Sequence, residues 1–231
     1  MKIGIIGAGN IGGALTRRFI AAGEDVYIAN SRGPETLRDL AAETGAKAVA
    51  VREAARGKDV VIVTIPLKNI VDLPKDLFAG VPDSVVVVDT GNYYPRQRDG
   101  RIDGIEKGAT ESRWVSEQLG RPVTKAFNTM YAQHLRENGK PKGVPGRIAL
   151  PVAGDDPKAK AIVMQLIDEI GFDAVDAGTL DESWRQQPGT PVYTKDYDAA
   201  GVRRALSEAQ PERTDDWRAT PNSPGTYTSP A

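Results

Sequence analysis

An α/β doubly wound, mostly parallel sheet with a small C-terminal extension is the fold class that this sequence predicts. Three observations carry the expectation. Short β-branched runs alternate with helical patterns of about ten residues or more, the spacing of right-handed crossovers between parallel strands. Two of the runs, Asp59 to Thr64 and Ser84 to Asp89, are apolar at successive rather than alternate positions, as strands covered on both faces are. A glycine-rich turn, Gly7 to Gly12, stands between the first run and the first helical pattern.

Lys2 to Ile6 reads as a buried strand, and Asn10 to Ala22 as a helix whose Ile11, Leu15 and Phe19 share one face. Gly23 ends that helix, because glycine accepts the left-handed backbone of a helix C-terminus. Asp25 to Ala29 is the next strand, and Pro34 to Thr44 the next helix, with Pro34 in its first turn. After the two apolar strands comes Gly91 to Gly108, a polar segment that reads as an excursion from the core. Glu111 to Leu119 is helical, Pro122 to Phe127 a strand, and Arg136 to Arg147 a loop holding several glycines and prolines. Arg147 to Ala153 is a strand, and Pro157 to Ile170 a helix patterned on Ala161, Met164 and Ile167. Phe172 to Asp176 is a final short strand. Val202 to Ala209 reads as a short helix, and the Pro-rich stretch from Pro211 to Ala231 as a mobile tail. The division expected is a nucleotide-binding domain over 1–178 and an extension over 179–231.

Composition removes several classes of chemistry. The chain has 231 residues, no cysteine and one histidine, His134. Disulfide frameworks, thiolate nucleophiles and cysteine- or histidine-clustered metal sites are therefore excluded. Lys plus Arg is 30 and Asp plus Glu is 31, a net charge of −1, which argues against nucleic acid or an anionic membrane as partner. No run approaches the roughly 18 apolar residues of a membrane helix. Glycines and Asn10 also interrupt the N-terminal apolar stretch too early for a signal peptide, so a cytoplasmic protein is expected. Chemistry that needs few protein acids or bases survives, hydride transfer by a bound cofactor first among it.

Gly7-Ala8-Gly9-Asn10-Ile11-Gly12 is a GxGxxG turn in the context that gives the pattern meaning, after a strand and opening a helix. Gly7 allows the tight turn, Gly9 lets the backbone approach a pyrophosphate, and Gly12 lets helix and strand pack closely. The helix N-terminus supplies N–H groups and partial positive charge for the anion. The next strand ends in Asn30-Ser31-Arg32 rather than in the carboxylate that accepts a ribose 2′-hydroxyl. A hydroxyl and a guanidinium there suit a 2′-phosphate, so NADP(H) is favoured over NAD(H). Ser31 could equally cap the helix that follows.

The nicotinamide end should lie among three later strand ends: Thr64-Ile65-Pro66, Asp89-Thr90-Gly91-Asn92 and Phe127-Asn128-Thr129-Met130. Pro66 rigidifies its turn and Ile65 offers an apolar surface. Thr90 and Asn128 are the polar groups best placed for a carboxamide or an acceptor, although an asparagine there could instead shape its own turn.

Together these segments resemble the NADP oxidoreductases dependent on the deazaflavin coenzyme F420. Lys125-Ala126-Phe127-Asn128-Thr129, Gly154-Asp155-Asp156, Asp176-Ala177-Gly178 and the run Trp184 to Pro191 complete the likeness, which extends from Met1 to about Tyr193. The resemblance implies a Rossmann domain, a homodimer, and hydride exchange between NADP(H) and a small-molecule redox co-substrate, coenzyme F420 or a flavin. It implies Ser31 and Arg32 at the 2′-phosphate, with Ile65, Pro66, Asn128 and Met130 near the nicotinamide. The archaeal enzymes of the family differ in carrying histidine where Asn128 stands and proline where Tyr131 stands. The Phe127-Asn128-Thr129 version also resembles the NADPH domain of membrane ferric reductases.

No residue is assigned as a catalytic acid or base and none as a metal ligand. Arg136, Lys140, Lys142 and Arg147 against Glu137 make a locally basic loop, more often simply a solvated one, that could also steer an acidic coenzyme tail. Two rival readings share the cofactor: an NADPH-dependent reductase of an imine, carbonyl or quinone, and a non-catalytic NADP(H)-binding redox sensor.

Overall fold

In the computed structural model of the chain, residues 1–211, 225 and 228–230 are described. The elements in order are β1 (Lys2–Ile6), α1 (Asn10–Ala21), β2 (Asp25–Ala29), α2 (Arg38–Thr44), β3 (Lys47–Ala48), α3 (Val51–Ala55), β4 (Val60–Val63) and β5 (Val86–Asp89). There follow α4 (Asp103–Glu106), α5 (Glu111–Leu119), β6 (Thr124–Lys125), α6 (Ala132–Glu137), β7 (Ala149–Val152), α7 (Pro157–Glu169), β8 (Asp173–Asp176) and α8 (Ala199–Glu208).

Six strands form one parallel sheet in the order β3-β2-β1-β4-β5-β6. Side-chain alternation explains why the central strands are apolar throughout. Ile3, Ile5, Val60, Ile62, Val86 and Val88 face a core completed by Leu15 and Phe19 of α1 and Val163, Leu166 and Ile167 of α7. Ile6, Val61, Val63 and Val87 face a second core with Ala54, Leu67, Trp114 and Val115. The strand order reverses at β1 and β4, which opens a crevice at their carboxyl ends. The doubly wound reading therefore holds.

β7 and β8 pair with each other in parallel, and an isolated antiparallel bridge, Lys125 to Ala153, ties this small sheet to β6. α8 lays Val202, Ala205 and Leu206 against Ala149, Val175 and Ala177 of that sheet and against Val192.

Several boundaries differ from the sequence expectation, each for a local reason. The helix expected over 34–44 begins as a 3-10 turn, Pro34–Leu37, because Gly33 (φ 98°) precedes it with no side-chain cap. The strand expected over 122–127 shortens to Thr124–Lys125, since Phe127 adopts a left-handed backbone (φ 64°) and turns the chain out of the sheet. The segment Gly91 to Gly108 is not an excursion. Tyr93 and Ile105 are fully buried in the second core, and a π turn, Pro95–Asp99, together with α4 holds them there. Few residues and many outward charges hid these elements. Most of the tail from Pro211 lies outside the described residues.

The basic loop is also not a free positive patch. Arg147 is buried and donates to Asp168 (2.7 Å) and to Asp173, Lys142 reaches Asp168 (3.3 Å), and Arg136 pairs with Glu137 (2.6 Å). Among the described residues no helix is long and apolar enough to cross a membrane, and no cluster of three or more His, Asp or Glu could hold a metal.

The Arg147 guanidinium holds the Asp168 carboxyl below its ordinary pKa. A depressed carboxylate pKa contributes stability above its unfolded value, lost as pH falls through the folded one. Stability in urea should fall on acidification below about pH 4, the unfolded aspartate value. Arg147→Met should flatten that limb of the profile.

Candidate functional site

The turn from β1 to α1 is built on contacts that only glycine permits. Gly7 sits at φ 116°, donates its N–H to Ala29 O (2.8 Å), and a Cβ there would lie 2.2 Å from Thr64 O. A Cβ on Gly12 would lie 1.9 Å from Gly7 O. Gly9 is different: a Cβ would meet nothing within 4 Å, so the space beside it is open. The α1 ladder starts with Gly13 N–H to Gly9 O (2.8 Å), and no acidic residue stands in the first turn. The first-turn N–H groups have no intrahelical acceptor and carry the positive end of the helix dipole. Open space beside Gly9, unpaired donors and absent negative charge together fit a pyrophosphate.

Three clefts meet at Gly9. One of about 550 Å³ runs from Gly7, Ala8 and Gly9 past Thr64, Ile65 and Pro66 to Asn30, Ser31 and Arg32. A second of about 440 Å³ shares Gly9, Thr64, Ile65 and Pro66 and continues over Asn10, Ile11, Thr90, Asn128 and Met130. A third, about 660 Å³ and more polar, is lined by Arg17, Arg32 and Arg136. The structure thus brings fourteen of the fifteen expected site residues to the first two clefts: Gly7, Ala8, Gly9, Asn10, Ile11, Asn30, Ser31, Arg32, Thr64, Ile65, Pro66, Thr90, Asn128 and Met130. The fifteenth, Gly12, is buried behind the turn, where it sets packing.

At the end of β2 the loop is shaped by Asn30. Its Oδ1 accepts from Arg32 N–H (2.9 Å), and its Nδ2 donates to Thr36 Oγ1 (2.9 Å), which donates to Gly33 O (2.8 Å). Ser31 does not cap the following turn, whose N-cap is Gly33, and Ser31 and Arg32 are both exposed at the end of the first cleft.

The second cleft is organised by amides. Asn128 is buried, its Nδ2 donating to Asn92 Oδ1 (3.0 Å) and Gln186 O (2.7 Å) while its Oδ1 accepts from Gln186 Nε2 (2.9 Å). Its amide therefore chiefly positions the wall. Asn92 Nδ2 donates in turn to Asn128 O (2.9 Å). Tyr94, Arg98 and Tyr193 also line this cleft. None of Asn92, Tyr94, Arg98, Gln186 and Tyr193 was assigned as a site residue, although Asn92 stood in one of the three expected strand ends. Asn92 and Gln186 lay within the segments carrying the resemblance, but only their packing reveals what they hold.

Beneath this wall lies a buried charge cluster. Lys125 Nζ is 3.2 Å from Asp89 Oδ2, donates to Gly91 O, and lies 3.8 Å from Glu111 Oε2. Ser112 Oγ donates to Asp89 Oδ2 (2.6 Å), and Gly91 N–H donates to Asp89 Oδ1 (2.9 Å). These bonds fix the turn that presents Thr90 and Asn92. His134, which is not part of the expected catalytic set, pairs with Asp196 at 2.7 Å.

The family model for NADP oxidoreductase, coenzyme F420-dependent, matches residues 2–93. The solved structure of a hypothetical protein, SMa0349 from Sinorhizobium meliloti, is 36% identical, with TM-score 0.73, covering 85% of this chain and 95% of that one. The chain belongs to the coenzyme F420-dependent NADP oxidoreductase family. The matched residues contain the glycine turn, the Asn30 to Arg32 loop and Thr64 to Pro66. The protein YjhV of Escherichia coli (strain K12) is 48% identical over 73 residues, 32% of this chain and 53% of that protein, so the chain spans about half the length of this curated relative. A structure from Arthrobacter sp. FB24, named as a candidate F420-dependent NADP reductase, shares the fold at 22% identity and TM-score 0.61, covering 78% of this chain and 85% of that one.

The different roles of the family's glycines should separate experimentally. Gly9→Ala should fold with unchanged thermal stability yet bind NADPH at least about tenfold more weakly, since the methyl enters the cradle. Gly12→Ala should lose about 1–3 kcal/mol in urea denaturation from overpacking against Gly7 O. Lys125→Met should be costlier, about 3–5 kcal/mol, because it leaves buried carboxylates uncompensated.

Proposed function

We propose that this protein moves hydride between NADP(H) and a second redox carrier, a deazaflavin of the coenzyme F420 type or a flavin. The observation that supports it most is the junction of two clefts on Thr64, Ile65 and Pro66, one ending at a serine–arginine pair and the other walled by aromatic side chains. Such a junction suits two elongated ligands whose reactive ends meet.

The first cleft would hold the dinucleotide. The α1 N-terminus and Gly9 receive the pyrophosphate, Ser31 and Arg32 the 2′-phosphate, and Thr64, Ile65 and Pro66 the nicotinamide, with Thr90, Asn128 and Met130 on the far wall. When bound, NADPH supplies the hydride. This chain's contribution is orientation: Ile65 and Pro66 give a rigid apolar surface, and the Asn128–Gln186–Asn92 amides hold the opposing wall in place. Bringing reacting groups into register can supply much of the rate without a protein acid or base. A homodimer in the cytoplasm is part of the same proposal.

Two measurements test it. Purified protein should oxidise NADPH with a 5-deazaflavin or flavin in preference to quinones, imines and carbonyl compounds. Tight NADPH binding with no turnover on any acceptor would overturn the reading in favour of a redox sensor. Arg32→Ala should weaken NADPH about 10- to 100-fold in calorimetry, the worth of charge-assisted hydrogen bonds to a phosphate, while leaving NADH affinity unchanged. An unaltered NADPH preference would remove Arg32 from the site.

A further inference from the structure

The second cleft contains a polar feature that hydride positioning alone does not use. Tyr94 and Tyr193, about a hundred residues apart, both line it half-buried, and their hydroxyls are hydrogen-bonded to each other. Asn92 Nδ2 lies 3.5 Å from the Tyr193 hydroxyl oxygen. The direction of the amides' hydrogen bonds follows from chemistry. Gln186 O and Asn128 O are main-chain carbonyls and can only accept, so Asn128 and Asn92 must each turn their NH2 groups toward them. The second Asn92 N–H then points at Tyr193, whose oxygen must accept it.

We infer that Tyr193, backed by Tyr94, donates a hydrogen bond and then a proton to the second substrate, which is therefore a conjugated carrier whose carbonyl or ring-nitrogen acceptor is in conjugation with its hydride-accepting ring atom. This rests on the hydride-transfer reading above. The Tyr94–Tyr193 bond can run in either direction; in the arrangement where Tyr94 donates, the Tyr193 oxygen accepts from both Tyr94 and Asn92, and its own proton is directed into the cleft. Burial pushes both phenols above their ordinary pKa, Tyr193 further than Tyr94 because Tyr94 adds to it, so both are protonated at neutral pH. The charged and titratable groups that face the pair are Arg98, over the Tyr94 ring at 5.0 Å, Asp99, Glu111 and Tyr131.

The step balances. As hydride from the dihydronicotinamide reaches the accepting ring atom, carbon in a deazaflavin and nitrogen in a flavin, the electron pair displaced onto the conjugated heteroatom takes the Tyr193 proton. The Tyr193 oxygen keeps the pair of the broken O–H bond and takes the Tyr94 proton, and solvent returns one to Tyr94. NADPH is oxidised by two electrons, the carrier reduced by two, and one proton is consumed.

Main-chain strain supports a built arrangement. Thr194 beside Tyr193 is left-handed (φ 57°), and its N–H donates to Thr129 O (2.8 Å), two residues after the left-handed Phe127. This clamps the Tyr193 segment to the loop that carries Asn128, and such strain persists only where surrounding contacts impose it.

The test compares Tyr193→Phe and Tyr94→Phe with wild type, each keeping its ring and packing. Riboflavin and a 5-deazariboflavin are the binding probes, read by fluorescence quenching, with NADPH titrated separately. Tyr193→Phe should weaken whichever probe the wild type binds by at least about tenfold, leave NADPH affinity within about twofold, and lower kcat about 100-fold with loss of the solvent deuterium isotope effect. Tyr94→Phe should give a smaller loss of kcat with a retained isotope effect. Equal probe affinity and unchanged kcat in Tyr193→Phe would overturn this inference alone. A wild type that binds NADPH but neither probe would overturn the carrier reading, and the proton donor's assignment with it.

Discussion

The site depends on three backbone segments meeting closer than any side chain would allow. Gly7 lies against Thr64, and Gly12 lies against Gly7, each at a separation where a Cβ would overlap a main-chain carbonyl. That approach docks the N-terminus of α1 onto the carboxyl ends of β1 and β4. The helix dipole, the open cradle at Gly9 and the Thr64 to Pro66 junction are placed together by it. An ordinary residue at Gly7 or Gly12 would push these elements apart and separate the phosphate end from the reactive end.

The far wall is secured by different physics. Asp89, Lys125, Glu111 and Ser112 form a charge cluster deep under the turn after β5, and the Asn92, Asn128 and Gln186 amides lie above it. Buried polar groups of this kind stabilise a structure weakly in net terms, but each bond has one geometry, so together they select one conformation of the loops. The position of a cleft wall is fixed more by such directional constraint than by further apolar packing.

The legibility of these parts in the linear chain differs sharply. Gly7, Gly9 and Gly12 were readable because their task is local and their spacing is set by one turn. The position of Ser31 and Arg32 at the end of the first cleft was readable for the same reason, since the loop after β2 carries them wherever the sheet goes. The Gly91 to Gly108 segment was misread because its buried residues, Tyr93 and Ile105, are isolated among charges and make no periodic pattern. The sequence left open what the basic loop around Arg147 does, because its neutralising partners Asp168 and Asp173 lie on α7 and β8.

The sequence by itself determined the doubly wound sheet, the phosphate turn and a cofactor loop without an acidic residue. Each of these is an interaction among near neighbours, or a periodicity that a short window contains. Only the tertiary structure decided that Asn128 is spent holding Gln186 and Asn92, that Lys125 is buried against Asp89, and that Tyr94 meets Tyr193. Those pairings join residues about 35 to a hundred positions apart. Their existence depends on how strand ends and the segment after β8 converge, a geometry that no local pattern encodes.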